Sequence, residues 1–502
     1  MTGKVYIVGA GPGDPDLITI KAIRCIQEAD VVIYDRLVDS RIVNMIPNTA
    51  ERIYVGKSRG EKVMPQENIN DLIVNAATSN KTVVRLKGGD PFIFGRGGEE
   101  ASELSKAGIP FEIVPGITSA IAAPAYAGIP LTQRSFASSF LVVSGDEDPS
   151  KQESLIDWQH IAAFKGTIVI LMGWRKLQDI ITSLLKHGMG PSVPVALIQW
   201  GTVPLQKTVT GSLVNIVEES SKAGMAPPTI IVIGKVVELR TVVRWFEKKP
   251  LFGKKVLITR PNNNTSILSD LLEREGAHVV SLPTIEIVPV PDFSDLDIAI
   301  KQLDAYDWII FNSLNAVSAL FTRMKQIRID TRSFMKAKIC AIGESTAKAL
   351  ERHGILPDLI PDKYLTSSIA AQLNKNGVSG NRILIPRTNI ASNSLVEKLE
   401  NSGAKVEQVT AYHTIIPETA EETILQLLKN NEVDIVIFTS SSTVKNLLRL
   451  LHGDTDLLNA KTIATIGPIT SQAARKMGIE VNISAQKHTI QGLVSDIVTY
   501  YS

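Results

Sequence analysis

The sequence predicts an α/β protein over its whole length, on three observations. Short apolar runs alternate with segments of helical period, several runs end in glycine-rich turns, and the rear half repeats its own pattern. At 502 residues the chain exceeds what one core can serve, so several domains are expected. A net charge of +2 gives no bulk attraction to nucleic acid or to a membrane surface. The two cysteines, Cys25 and Cys340, are far apart in apolar surroundings and form neither a CxxC pair nor a metal spacing. Buried thiols in a reducing compartment are expected, with no metal. The chain opens on a strand pattern with no secretory leader, and no apolar run has membrane-spanning length, so the expected location is cytoplasmic.

In order, residues 5–8 read as a strand that runs into Gly9-Ala10-Gly11-Pro12-Gly13-Asp14-Pro15. Leu17, Ile20, Ile23 and Ile26 mark a helix face, and residues 31–34 form the next strand, ending at Asp35. A dinucleotide fingerprint fails here: Asp14 stands at the third glycine position, and Pro12 removes an amide that a pyrophosphate would need. A further strand, Thr82-Val83-Val84, leads into Arg85-Leu86-Lys87-Gly88-Gly89-Asp90-Pro91-Phe92-Ile93-Phe94-Gly95-Arg96-Gly97-Gly98-Glu99-Glu100. Adjacent glycines let a ligand approach backbone amides closely, Asp90 puts a carboxylate at the turn and Pro91 stiffens its exit. Two tight bends with three basic side chains are more than a surface loop requires, so this run is the first candidate ligand site.

A boundary follows Trp245-Phe246-Glu247-Lys248-Lys249-Pro250. Domains are expected at 1–245 and 253–502, with 246–252 as a linker. Gly253-Lys254-Lys255-Val256-Leu257-Ile258-Thr259-Arg260-Pro261 is echoed by Gly380-Asn381-Arg382-Ile383-Leu384-Ile385-Pro386-Arg387-Thr388. Asp307-Trp308-Ile309-Ile310-Phe311-Asn312-Ser313 is echoed by Asp434-Ile435-Val436-Ile437-Phe438-Thr439-Ser440. Two parallel α/β layers facing a cleft are expected, since the repeat is far too long for a solenoid unit.

Residues 1–245 resemble uroporphyrinogen-III C-methyltransferase of the tetrapyrrole methylase family. The resemblance is carried by Val8-Gly9-Ala10-Gly11-Pro12-Gly13-Asp14, Tyr34-Asp35-Arg36-Leu37-Val38, Val55-Gly56-Lys57 and the run from Arg85. Val114-Pro115-Gly116-Ile117-Thr118-Ser119-Ala120, Ala127-Gly128-Ile129-Pro130-Leu131-Thr132 and Leu171-Met172-Gly173 extend it. It implies two α/β subdomains with S-adenosylmethionine folded between them, held at Pro12, Gly88, Gly89, Asp90, Ile93, Thr118, Ser119, Met172 and Gly201. It further implies Asp35 as general base, Lys57 as proton donor and a homodimer through this half. The basic residues Arg36, Arg41, Arg59, Arg85, Lys87, Arg96 and Arg134 suit an eight-carboxylate substrate. Three departures stand out: Gln133 in place of a histidine, Ser144-Gly145-Asp146 in place of Thr-Gly-His, and Gln199-Trp200 in place of a polar pair. Gln hydrogen-bonds but does not titrate.

Residues 253–502 resemble uroporphyrinogen-III synthase through Thr259-Arg260-Pro261, Phe311-Asn312-Ser313, Phe438-Thr439-Ser440-Ser441-Ser442 and Ile466-Gly467-Pro468-Ile469-Thr470-Ser471. That resemblance implies a two-domain fold with crossed-over chain, 253–287 with 417–502 against 288–416. It implies cofactor-free closure of hydroxymethylbilane to uroporphyrinogen III, Tyr412 as proton donor and helix N-termini as carboxylate sites. Arg260 and Arg387, at equivalent repeat positions, are expected at the cleft. Together the halves imply two methylations to precorrin-2. Two alternatives remain open from the residues: a rear half that only binds tetrapyrrole, and a front half that methylates another substrate.

Overall fold

The computed structural model describes residues 3–56, 64–146, 155–259, 266–282, 284, 286–361, 366–375, 377–391, 393–415 and 418–502. The chain divides into two compact units, one of Met1–Lys255, Asp270–Val279 and Val498–Ser502, the other of Val256–Ser269 and Val280–Ile497.

The first unit carries two sheets. Strands β1 (Lys4–Gly9), β2 (Val31–Tyr34), β3 (Glu51–Tyr54), β4 (Thr82–Lys87) and β5 (Phe111–Val114) form a sheet of order β3-β2-β4-β1-β5. Every pairing in it is parallel. Its strands are apolar on both faces because helices cover both. Val5, Ile7, Ile33 and Val83 pack one way, and Val8, Val32, Val84 and Leu86 the other. Each such side chain contributes about 1.5–3 kcal/mol when fully buried. The second sheet has β6 (Phe140–Ser144), β7 (Thr167–Leu171), β8 (Pro194–Gln199), β9 (Lys207–Ser212) and β10 (Thr229–Ile233) in the order β6-β7-β10-β8-β9. Only β6 and β7 are parallel in it, the other three pairings being antiparallel.

Two expectations change here. The first helix begins at Ile20, after Thr19 caps it, and Ile20 is 70% exposed while Ala22, Cys25 and Ile26 are buried. The buried stripe is therefore rotated from the aliphatic face read in the sequence, and Leu17 belongs to a separate turn, Pro15–Leu17. Residues 246–252 are packed rather than linker-like. Phe246 and Leu251 are buried, and the rings of Tyr126, Trp245 and Phe246 meet edge to face. Glu247 pairs with Arg240 and accepts from Gln206 at 2.9 Å and Thr208 at 2.7 Å. A segment holding a buried ion pair and two buried apolar residues is part of the fold.

In the second part of the chain, β11 (Lys255–Ile258) and β12 (His278–Ser281) open a third sheet. The chain then builds a complete fourth sheet from β13 (Glu286–Pro289), β14 (Trp308–Phe311), β15 (Lys338–Ala341), β16 (Arg382–Thr388) and β17 (Lys405–Ile415). It returns to finish the third with β18 (Ile435–Phe438), β19 (Thr462–Thr465) and β20 (Ile483–Ser484). The orders are β12-β11-β18-β19-β20 and β13-β17-β16-β14-β15. The double crossing that the resemblance implies is thus present, with one shift of boundary. Glu286 pairs with Ile415 and Ile287 with Thr414, so β13 already belongs to the fourth sheet and the chain switches before 286. That pairing is antiparallel, so the fourth sheet is parallel except at this edge.

Candidate functional site

The parallel ladder between β1 and β4 ends at Gly9 and Lys87, and the two chains then turn toward each other. Gly11 and Gly89 exchange both backbone hydrogen bonds, at 3.1 and 2.7 Å. The bridge requires positive φ at both residues, +81° and +70°, which only glycine adopts freely. Close approach sets a second demand: a Cβ on Gly9 would lie 2.6 Å from the backbone of Gly116, so the loop before Thr118 is drawn against the bend. Asp90 fixes it there. Its Oδ1 accepts the Phe92 amide at 2.8 Å and its Oδ2 the Gly116 amide at 3.0 Å. Thr118 then caps the helix Ser119–Tyr126, accepting from the Ala120 amide.

This helix gathers the remaining parts. Gly201 lies so close that its Cβ would stand 2.3 Å from that of Ala123, and left-handed backbone at Trp200 and Thr202 makes the approach. The Thr202 hydroxyl accepts the Asp14 amide at 3.1 Å, and Tyr126 donates to the Asp14 carboxylate at 2.7 Å. Burial, then the hydrogen bond to Asp14 and its charge, pushes the Tyr126 phenol well above its ordinary range. The loop holding Pro12 is therefore clamped to both sheets of the unit. Ile93 is tied in by its amide, which donates to Asp90 O at 3.4 Å, and its side chain is exposed. Met172 follows β7 in left-handed backbone with its side chain half exposed. Gly89, Asp90, Thr118 and Ser119 are thus brought together at one helix N-terminus, while Gly201 packs against the middle of that helix, Gly88 faces Leu37, and Pro12 and Ile93 lie in the loops on either side of the bridge. Met172 sits at the end of the second sheet's parallel pair.

Asp35 follows β2 and lies beside β4. Its Oδ1 accepts from Arg85 Nη2 at 2.6 Å, and Lys87 Nζ stands 4.0 Å from its Oδ2. Both cations continue inward to Glu100, at 3.0 Å from Arg85 Nε and 2.8 Å from Lys87 Nζ. Burial, then the charge of Arg85, holds the Lys87 ammonium below its ordinary value, with Glu100 and Asp35 opposing. Arg85 and Lys87 were expected to meet substrate carboxylates. They instead lie inside the fold at 1% and 4% exposure, because alternate residues of a buried strand point to one covered face. Arg96 pairs with Glu99 and Arg41 with Asp39, whereas Arg36 and Arg134 are exposed. Lys57 and Arg59 lie outside the described residues. Gln133 closes its own turn, its Oε1 accepting the Ser135 amide at 2.8 Å. Ser144 donates to Asp146 O, and Asp146 pairs with Lys176.

Glu100 was missed in the sequence. Acidic residues at the start of a helix read as dipole partners, yet two cations at alternate positions of an apolar strand imply a buried acid opposite them.

In the second unit Tyr412 is buried in β17, and its hydroxyl lies 3.1 Å from Ser313 Oγ. Ser313 caps the helix Leu314–Gln326, accepting the Ala316 amide. Burial raises the phenol pKa above its ordinary value while the Ser313 contact opposes. Ser440 caps Ser441–Leu450 in the same way. Thr259 and Thr439 follow the neighbouring strands β11 and β18, and each buries a hydroxyl with no partner among the described residues. Ser471 is turned inward to Thr465 and Ser484, at 2.6 and 2.7 Å. Arg387 is buried against Asn393, Gln408 and the carbonyl of Ala391, which makes it a fold residue and corrects its expected place at a cleft. Arg260 lies outside the described residues. Among the described residues no group of three His, Cys, Asp or Glu side chains is gathered for a metal, and no helix is long and apolar enough to cross a membrane.

The front unit combines a glycine-lined bend against a helix N-terminus with a carboxylate on paired cations, and the family comparison identifies it as a methylase of the tetrapyrrole type. A family model described as Tetrapyrrole (Corrin/Porphyrin) Methylases matches residues 4–217, and one described as Uroporphyrinogen-III synthase HemD matches 266–495. The chain is 37% identical to the Porphyrin biosynthesis protein HemD of Ruminiclostridium josui over 99% of this chain and 98% of that one. It is 50% identical to an S-adenosyl-L-methionine-dependent uroporphyrinogen III methyltransferase of Methanosarcina barkeri (strain Fusaro / DSM 804), over 48% of this chain and 94% of that one. A Uroporphyrinogen-III C-methyltransferase of Bacillus subtilis (strain 168) is 40% identical over 72% of this chain and 74% of its own. The chain belongs to the family in which a uroporphyrinogen-III C-methyltransferase is fused to a uroporphyrinogen-III synthase.

Proposed function

We propose that the chain carries out two consecutive steps of tetrapyrrole synthesis. The rear half closes hydroxymethylbilane to uroporphyrinogen III with inversion of one ring, and the front half methylates that product twice to precorrin-2. S-adenosylmethionine supplies the methyl group as its sulfonium substituent. The residues present fit it: Gly89 leaves space between its backbone and Thr118 and Ser119, with Pro12, Gly88, Asp90 and Gly201 as further neighbours in this reading and Ile93 and Met172 as apolar contacts.

The acceptor ring carbon is made nucleophilic by its pyrrole nitrogen, so the protein has to position it and accept a proton. Asp35 does so in this reading: the cations at its back fix the carboxylate, and its side chain remains 30% exposed. Lys57 is assigned as proton donor from the family pattern. In the rear half the buried Tyr412 phenol gives its proton to the leaving hydroxyl, which departs as water. The ring nitrogen supplies the electron pair that expels it. A phenol raised by burial keeps that proton at neutral pH. Capped helix starts at Ser313 and Ser440, with the Thr259 and Thr439 hydroxyls, are the carboxylate partners of the substrate. No metal is required, the chain works as a homodimer through its front half, and its place is the cytoplasm.

The observation that carries the front-half reading is the Gly11–Gly89 bridge held against the Thr118 cap. The test is to feed the purified chain hydroxymethylbilane with and without S-adenosylmethionine. Type-III isomer should form without the methyl donor and dimethylated product with it. Only the spontaneous type-I isomer would leave the rear half a binding module. Absence of methylation of supplied uroporphyrinogen III would overturn the front-half reading.

A further inference from the structure

We propose that Glu100 is a positioning residue for methyl transfer, acting through Arg85 and Lys87 on the Asp35 carboxylate. The inference rests on the assignment of Asp35 as general base.

Four ionisable side chains form a line from the interior to the surface. Glu100 is innermost, with its side chain fully covered; Arg85 and Lys87 lie between; Asp35 alone reaches solvent. Two cations thus face two carboxylates, and burial of the inner three makes their interactions strong. Glu100 takes every donor on one oxygen, since Oε1 receives Arg85 Nε, Lys87 Nζ and Gln66 Nε2 at 3.0, 2.8 and 3.2 Å. Its Oε2 is buried with no partner among the described residues. A glutamine would supply the same acceptor oxygen and shape at lower desolvation cost. The feature peculiar to glutamate at this site is its charge.

That charge has a consequence at Asp35. The charged groups facing Asp35 among the described residues are Arg85 and Lys87, while those facing Glu100 are the same two. Glu99, on the preceding residue of the helix, pairs with Arg96 at the surface and also feels the Lys87 charge. With Glu100 ionised, the two cations are shared between two carboxylates. Without it, both cations bear on Asp35 alone and bind its ionised form more firmly. A base held too firmly as an anion is a poor proton acceptor. Arg85 also fixes where the carboxylate sits, because its Nη1 is directed to the carbonyls of Ile33 and Leu86, both at 3.4 Å.

The sign of the effect makes the test. In Glu100→Gln the acid limb of the methylation pH profile should move to lower pH by about half a unit or more, and plateau kcat should fall by up to about threefold for each half unit. In Lys87→Met one cation is lost and the acid limb should move to higher pH. Both variants are assayed as full-length chain with uroporphyrinogen III and S-adenosylmethionine from pH 5 to 9, with S-adenosylhomocysteine affinity and Tm measured alongside. Opposite displacements of the limb, with affinity retained, establish the proposal. Limbs that stay in place, or move the same way in both variants, overturn it whatever happens to Tm. Asp35→Asn tests the underlying reading separately. Full methylation in that variant removes Asp35 as the base, while its loss beside unmoved limbs in the other two removes only the role of Glu100.

Discussion

Oδ2 of Asp90 accepts the backbone amide of Gly116 at 3.0 Å, joining the turn after β4 to the loop that leads into the Thr118 cap. The same carboxylate accepts the Phe92 amide through its other oxygen, so its first role is to hold the bend in shape. A carboxylate accepting two amides is a charge-assisted contact worth about 1.5–3 kcal/mol each when buried, less here because the site is part exposed. Asp90→Ala should weaken S-adenosylhomocysteine binding about tenfold and lower Tm by a few degrees, read by calorimetric titration and thermal unfolding. Asp90→Asn, which keeps one acceptor and loses the charge, should fall between. A lowered Tm with unchanged affinity would make Asp90 a fold residue only.

Gly201 supplies a test that does not pass through charge. Its Cβ would stand 2.3 Å from the Cβ of Ala123, closer than two methyl groups can approach. Gly201→Ala should therefore push β8's exit away from the helix Ser119–Tyr126, at about 1–3 kcal/mol of stability. Cofactor affinity should fall with it. Ala123→Gly in the same chain removes the opposing methyl and should restore much of both losses. Equal Tm for the single and double variants would show that the contact is not what sets the position of Gly201.

How much of this was legible in the sequence depends on what each residue's role requires. The Gly9–Asp14 and Gly88–Asp90 turns were readable because their glycines answer local backbone demands, and a local demand leaves a local pattern. The crossing of the chain between the rear sheets was implied by the family resemblance, which put it at the strands around 286 and 412. Arg85 and Lys87 were misjudged because their charge suggested an anionic substrate, whereas their alternate places on an apolar strand were the signal of burial. Their partner Glu100 comes from a different element, 15 and 13 residues away. The packing of Phe246 and Leu251 was hidden for a related reason: a short run of lysines beside a proline reads as a linker until tertiary contacts are known. Ile20 shows the reverse case, where an apolar residue kept the helical period and still faced solvent.

The thiols give a prediction on accessibility. Cys25 and Cys340 are both buried and unbridged, and burial pushes the Cys340 thiol up to about 12. The thiolate is the reactive form, so at pH 8 the native protein should hold almost none of it at Cys340. Titration with a chromogenic disulfide at pH 8 should find no rapidly reacting thiol in the native chain and two in denaturant. A Cys340 that reacts in seconds under native conditions would mean that the β14–β15 layer opens far more readily than its packing implies.

The contact between Tyr412 and Ser313 separates chemistry from scaffolding in the rear half. Tyr412→Phe keeps the ring in its buried place and removes only the hydroxyl. If that hydroxyl protonates the leaving group, type-III isomer formation should fall by about 10²–10⁴-fold, with Tm nearly unchanged. Ser313→Ala leaves the phenol and removes a helix cap, so it should cost about 0.5–2 kcal/mol of stability and a smaller part of the rate. Because the phenol pKa is raised, its proton is retained below the ordinary value of 10.0, and cyclisation should show no loss from this group between pH 7 and 9. The opposing contribution from Ser313 is removed in Ser313→Ala, which raises the phenol further and cannot bring an alkaline limb into that range. Both variants should still methylate supplied uroporphyrinogen III at the unaltered rate, since Asp35 and the glycine bend lie in the other unit. A Tyr412→Phe chain that forms type-III isomer as fast as the unaltered protein would take the proton donor away from this position and leave the hydroxyl pair as a brace between β17 and the start of the helix Leu314–Gln326.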